Sequence, residues 1–412
     1  MQPAKRKGAS WLHAPQRVWL RRAIFQIHLW LGILLAAYSV VIGLTGAILI
    51  FQEEIEDAIY AKQLHMTPGP RTTTFEAILA NVHATHPDWI AAGLSKLGEG
   101  AAAKGFDTEP VLIVMRPVSD PKTSNLRYVY VDPNSGRVLL DRMRYSSFMG
   151  FIFHLHLYLL LDRIGLTISG WMALGLLILC ISGIVVWWPG AARWAAALVL
   201  RRRSSWRRFN WDLHSVTGFW CCVALTAVSL TGVYFAFPLP IAGSVVKLTG
   251  GSIKEAMKYV AVPKAPPAKP GTPVLSVDRA IQTINTQMGD APAIYYISLP
   301  QTPADIYGGI SYYHTRVPYT AGKRVAIDPH TGAVLMSIDT RSAPLGVRLV
   351  QYFYSIHFGT FAGTTGVIGY IVRSLWVLLG ISPAVLAVTG LIMYWNRKLR
   401  PAIGRMRRPA VR

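Results

Sequence analysis

The sequence predicts a mainly α-helical membrane protein: four transmembrane helices arranged as two repeated halves, with two small α+β extracytoplasmic domains. Three observations predict it. The 412 residues are 52% hydrophobic and only 15% charged, the balance of an integral membrane protein. Ile27–Phe51, IHLWLGILLAAYSVVIGLTGAILIF, is an apolar run long enough to cross a bilayer, with one histidine near its start. Leu213–Phe237, LHSVTGFWCCVALTAVSLTGVYFAF, makes it again: His28 matches His214, Gly32 matches Gly218, Thr45-Gly46 matches Thr231-Gly232 and Phe51 matches Phe237, all at an offset of 186. A fixed offset held without a gap marks an internal repeat.

The formal charge of +22 is unevenly spread. Residues 1–23 carry six Lys/Arg, residues 189–210 six and residues 396–412 seven, with no acidic residue among them. The rest of the chain is nearly neutral. Basic excess in short segments beside membrane spans is the positive-inside pattern, so both termini and the 189–210 loop are expected in the cytoplasm. Nucleic acid is not an expected partner, because no basic patch is interleaved with exposed aromatics; the lipid bilayer is. The three cysteines lie inside apolar runs and no CxxCH occurs, which gives covalent haem attachment no support. The first apolar run is too long for the h-region of a signal peptide, so it is expected to remain as an anchor.

Taken in order, residues 1–22 form a basic cytoplasmic lead and 23–52 the first span. Residues 53–147 form the first outer domain. In it Phe75–Ala84 reads as a helix, Val111–Met115 and Tyr128–Val131 as strands, and Asp132-Pro133-Asn134-Ser135-Gly136 as a turn before another strand. Residues 148–188 hold an apolar stretch with His154 and His156, a break at Asp162-Arg163, and the uncharged second span Ile164–Trp188. The basic loop 189–210 leads to the third span, 211–238. The second outer domain, 239–346, holds a Pro-rich linker at Pro263–Pro273, a helix over Val277–Thr286, a strand over Tyr295–Leu299 and the same turn signal at Asp328-Pro329-His330-Thr331-Gly332. Residues 347–395 carry His357, an interruption at Arg373 and the fourth span, Ser374–Trp395; the basic tail is 396–412.

The chemistry lies in the histidines. With this topology His28 and His214 begin helices at the cytoplasmic face, while His156 and His357 precede helices at the outer face. A lone interfacial histidine is ordinarily a hydrogen-bonded belt residue. Four at repeat-related positions point instead to ligands, since ionisable groups at membrane depth are costly and mark function. Two imidazoles from facing helices can hold one haem iron between them. Zinc would want four close N, S or O ligands, and no Cys, Asp or Glu accompanies these histidines at membrane depth. His154 and His156 are two apart and point to opposite helix faces, so only one faces the bundle. His13, His65, His83, His86, His314 and His330 lie in polar segments and read as surface residues.

Gly32 and Gly218 sit one turn beyond His28 and His214 on the same face, where a missing side chain either lets a flat macrocycle lie against the helix or serves ordinary close helix packing. Gly46 and Gly232 read as helix-packing residues. From His156 to Trp188 is 32 residues, about 48 Å as one helix, against a hydrocarbon core of about 30 Å. The outer histidines are therefore expected on segments above the spans, bent at Gly165 and among Gly359, Gly363, Gly366 and Gly369. No GxGxxG follows a strand, so a nucleotide site in this chain is not expected.

The motifs IHLWLG…GLTG…F, FHLHLYLLLDRIG…SGIVVWWP, DLHSVTGFW…LTGVYFAFP and IHFGTFAGTTG…TGLIMYW resemble the four helices of the PepSY-associated transmembrane proteins, over nearly the whole chain, with outer segments similar to PepSY modules. That family includes iron-regulated bacterial inner-membrane proteins, among them two-haem ferric-siderophore reductases acting on the periplasmic side. The resemblance implies an oxidoreductase with two b-type, non-covalent haems, held by His28 with His214 and by His156 with His357. The family's Leu-His before the second helix falls on Leu155-His156, which favours His156 over His154. It implies a ferric siderophore as acceptor and a membrane or cytoplasmic electron donor. A PepSY-type regulatory or binding protein and an iron-chelate transporter are the other two readings; haem absorbance separates the first from both.

Overall fold

The computed structural model describes residues 11–12, 15–66, 72–97, 109–120, 123–201, 205–269, 271–315 and 317–406. His13, most of the basic lead and the end of the basic tail lie outside them. The described chain is mostly helical and contains three helices long and apolar enough to cross a membrane, or four if one bent pair counts as a single span.

That bent pair is α1 (Trp19–Leu34) and α2 (Ala36–Leu49), which meet at 66°. The sequence suggested one helix here, with no Pro to break it. The break falls at Leu35, which is 2% exposed and tucks towards Gly175, where a Cβ would lie 2.7 Å from Leu35 Cδ1. The Ser39 hydroxyl donates to the Leu35 carbonyl at 2.8 Å, and such a bond back to residue i−4 bends a helix. A short helix, α3 (Gln52–Tyr60), follows, and then α4 (Phe75–Thr85).

Strands β1 (Trp89–Ser95), β2 (Val111–Pro117), β3 (Arg127–Val131) and β4 (Val138–Met143) form the first half of a sheet. The apolar α5 (Phe148–Tyr158) and the span helix α6 (Asp162–Trp187) come next, then α7 (Trp206–Ala236), unbroken over 31 residues. After α8 (Pro238–Leu248), α9 (Ile253–Lys258) and α10 (Val277–Met288) come β5 (Tyr296–Ser298), β6 (Tyr307–Tyr312), β7 (Gly322–Ile327) and β8 (Val334–Asp339). The chain closes with α11 (Leu345–Phe358) and the span helix α12 (Gly366–Tyr394). In the bundle α1 packs on α6, α6 on α7, and α12 on both α2 and α7.

The two outer segments do not fold apart, as two small domains were expected to. They share one eight-stranded antiparallel sheet in the order β4-β3-β2-β1-β5-β6-β7-β8. The seam pairs Gly93 with Ser298, Leu94 with Ile297 and Ser95 with Tyr296. Gly93 is required there, because a Cβ would stand 2.7 Å from the Ile297 carbonyl and collide with the Tyr296 hydroxyl. One core lies under both α4 and α10: Phe75, Ile78, Val82, Ile284 and Met288 meet Ile113, Val129, Ile297, Val325 and Ile327. Burying this continuous apolar face is what joins the halves. The expected turns are present, each closed by its aspartate. Asp132 accepts from the Asn134 N–H at 2.9 Å and Asp328 from the His330 N–H at 2.7 Å, with Gly136 and Gly332 at φ 75° and 74°.

Two expected interruptions differ. Arg373 does not break the fourth span: it lies within α12, 5% exposed, and forks onto Glu54 of α3. The bend above the second span falls at Leu159–Leu161, not at Gly165; Leu159 and Leu160 take left-handed φ of 50° and 61°, capping α5. Gly165 instead packs against the Tyr158 carbonyl. The other bend does lie between Gly359 and Gly366.

Candidate haem sites

Each of the four singled-out histidines stands opposite a hydroxyl–glycine pair on a neighbouring helix. His28 Nδ1 is 3.0 Å from Ser182 Oγ, His214 Nδ1 2.9 Å from Thr389 Oγ1, His156 Nδ1 2.9 Å from Thr45 Oγ1 and His357 Nδ1 2.9 Å from Thr231 Oγ1. The glycine after each hydroxyl leaves room for the ring: a Cβ on Gly183, Gly390, Gly46 or Gly232 would meet the Cε1 of that same histidine at 3.2, 3.4, 2.9 and 3.9 Å. The helix register produces this. Thr45-Gly46 and Thr231-Gly232 sit late in α2 and α7, level with α5 and α11, while Ser182-Gly183 and Thr389-Gly390 sit late in α6 and α12, level with the second half of α1 and the first third of α7.

The cradles bring the rings together in two couples. His28 and His214 have ring centroids 6.5 Å apart with planes at 88°; His156 and His357 are 6.3 Å apart at 70°. Two imidazole nitrogens, each about 2 Å from a shared metal ion, put the centroids roughly 6 Å apart. The spacing therefore fits a bis-histidine iron, and the room beside it fits a macrocycle. A cavity of about 1090 Å³ is lined by all four histidines and by Gly32 and Gly218. A Cβ on either glycine would meet only a leucine methyl, Leu179 at 3.9 Å or Leu386 at 3.6 Å. Among the described residues no group of three or more His, Cys, Asp or Glu gathers as a metal site.

His154 is turned away. Its ring stacks on Tyr145 at 3.9 Å and its Nε2 lies 3.2 Å from Asp162 Oδ1. Of the histidines read as surface residues, His65, His83 and His314 are exposed, whereas His86 is half-buried against Asp141 at 2.8 Å and His330 against the Pro273 carbonyl at 3.0 Å.

The two couples lie at opposite ends of α7. From His214 to Thr231, the partner of His357, is 17 residues of unbroken helix, about 26 Å. Around the first couple the cavity wall includes Arg21, Arg193, Arg208, Arg397 and Lys398. Among the described residues the Arg21 Nε and Trp187 Nε1 there are buried without a hydrogen-bond acceptor, as donors to an anionic group such as a propionate would be. Around the second couple Phe235 meets His357 edge-on at 5.1 Å. An aromatic series then climbs to the sheet: Phe358 on Tyr354 at 4.5 Å, Tyr354 on Tyr319 at 5.2 Å and Tyr319 on Tyr312 at 4.9 Å.

Reading the sequence missed the roles of Ser182, Thr389, Thr45 and Thr231. The signal was present, since a hydroxyl–glycine pair occurs in every span. Gly46, read as a packing residue, faces His156 instead, whereas Gly232 does pack on the neighbouring helix, its Cβ position meeting Ala173 at 3.5 Å before His357 at 3.9 Å.

A family model described as the PepSY-associated TM region matches residues 25–397. No curated protein matches the chain.

Proposed function

The chain belongs to the PepSY-associated TM family, and from that premise we propose a di-haem electron-transfer protein of the bacterial inner membrane. In this reading both termini are cytoplasmic, the sheet is periplasmic with two PepSY-like halves, and a ferric siderophore is reduced there to release Fe(II). The observation that carries the reading is the pair of histidine couples, at 6.5 and 6.3 Å, one at each end of α7. His28 with His214 would hold one haem and His156 with His357 the other; bound haem supplies reversible one-electron exchange between Fe(III) and Fe(II).

The residues of the chain supply the rest. The cradles orient each imidazole, the helices give the cavity a mostly apolar wall, and the basic rim of the first couple offers counter-charges to propionates. The aromatic series from Phe358 to Tyr312 supports entry of a bulky acceptor between sheet and bundle. One electron taken from a cytoplasmic or membrane donor reduces one ferric ion, and the hold of hard oxygen ligands weakens on Fe(II). Nothing in the outer segments resembles a hydrolytic triad or nucleophile elbow, which favours reduction over cleavage of the chelator.

The test begins with the visible spectrum of the purified protein, oxidised and reduced. Two haems per chain are expected; a protein without haem absorbance would instead support the regulatory or transport reading.

A further inference from the structure

We propose that the four hydroxyl–glycine pairs, Ser182-Gly183, Thr389-Gly390, Thr45-Gly46 and Thr231-Gly232, are positioning elements that fix each facing histidine in one tautomer, with Nδ1 protonated and the Nε2 lone pair free for iron. The inference rests on the di-haem reading and deepens it.

The tautomer follows from where the hydroxyl protons go. Thr45 Oγ1 donates to the Val41 carbonyl at 2.7 Å, Thr231 to Val228 at 2.9 Å, Thr389 to Val385 at 2.6 Å and Ser182 to Leu179 at 3.2 Å. With its proton engaged, each hydroxyl oxygen faces the imidazole as an acceptor, so Nδ1 must donate. Donation from Nδ1–H raises the basicity of Nε2 and holds the ring's orientation.

The glycines set how closely each ring approaches, and they are not equivalent. A methyl on Gly46 would press on His156 Cε1 at 2.9 Å, closer than a Cβ tolerates, and the ring cannot yield while its Nδ1 is held. The same methyl on Gly232 would meet His357 at 3.9 Å, an ordinary contact. So one substitution type separates the ring-positioning role from a general need for small residues between helices.

The experiment uses the full-length protein in detergent, with haem per chain and the midpoint potential of each haem as readouts. Gly46→Ala should lose the haem of the His156/His357 couple and keep the other, which also reports that the chain is folded. Gly232→Ala should keep both. Thr45→Val should weaken that same haem's affinity roughly 10–100-fold and raise its midpoint potential, because a less basic imidazole favours Fe(III) less. Thr45→Ser, which restores the acceptor, should behave as wild type. Equal effects of Gly46→Ala and Gly232→Ala, or an unchanged potential in Thr45→Val, would overturn the inference while leaving a two-haem wild type intact. A wild type without haem would overturn the di-haem reading and this inference with it.

Discussion

Arg373 and Glu54 meet where the bundle joins the sheet: Arg373 Nη2 donates to Glu54 Oε2 at 2.7 Å and to the Ile50 carbonyl at 2.6 Å, and Nη1 reaches Glu54 Oε1 and the Thr364 carbonyl. The guanidinium also lies over Phe51 at 4.3 Å. A cation in an apolar helix is thus discharged onto the helix that follows the first span, tying α12 to α3. Truncating one partner of a fully buried pair costs about 3–5 kcal/mol. Glu54 is 39% exposed, so about 1–3 kcal/mol is expected for Glu54→Gln, read as a lower unfolding temperature in detergent.

The same pair predicts an acid limit. The hydrogen bonds from Arg373 hold the Glu54 carboxyl below its ordinary value of 4.5. A carboxyl depressed on folding contributes stability that is fully present above the unfolded value and is lost as pH falls through the folded one. Wild type should therefore lose this contribution below about pH 4.5. Thermal unfolding followed against pH should show that loss shallower in Glu54→Gln, and parallel curves would contradict it.

Haem content should sort the histidines by couple. His28→Ala or His214→Ala is expected to remove one haem and leave the other, and His156→Ala or His357→Ala to do the converse. His154→Ala should keep both, because its ring is committed to Tyr145 and Asp162. Four ligand variants with full haem content would end the bis-histidine reading.

Topology is testable without haem. A reporter active only in the periplasm should work when fused at the Asp132 or Asp328 turn, and should be silent in the 189–210 loop. The reverse pattern would invert the proposed direction of electron flow.

Much of this architecture could be read from residues because it rests on long-range composition. The spans announce themselves by apolar runs, the His28/His214 couple by the offset of 186, and the His156/His357 couple by the alternating direction of the helices. What escaped depends on contacts across the chain. Strand β1, WIAAGLS, has too many small residues to read as a strand, yet it lies at the centre of the sheet because Gly93 lets β5 approach. The merging of the two outer domains has no local signature at all. Nor has the reciprocal capping in which Glu76 accepts from the Val277 N–H at 2.9 Å and Asp278 from the Phe75 N–H at 3.1 Å. The bend at Leu35 and the break at Leu159–Leu161 carry no Gly or Pro; they arise from one buried side chain and from left-handed leucines.

The final prediction concerns the acceptor. The sheet-side couple ends α5 and α11, the two helices that enter the bundle from β4 and β8, so the approach to it from the sheet runs past the aromatic series. There Tyr319 bridges Tyr354 and Tyr312, at 5.2 and 4.9 Å, and holds a φ of 60° that a non-glycine residue adopts only when its surroundings enforce it. The bundle side of that contact belongs to the cavity wall, since Tyr354 and Phe358 line it beside His357. A residue so placed would meet an incoming chelate without touching either histidine. Protein reduced beforehand should be reoxidised by a ferric siderophore, with Fe(II) captured by a chromogenic chelator in equal amount. Tyr319→Ala should slow that reoxidation several-fold while leaving haem content and both midpoint potentials unchanged. Haem that stays reduced with every ferric chelate tried would refute the reductase reading. Reoxidation at one rate by any small oxidant, in wild type and Tyr319→Ala alike, would mark an unselective electron carrier instead.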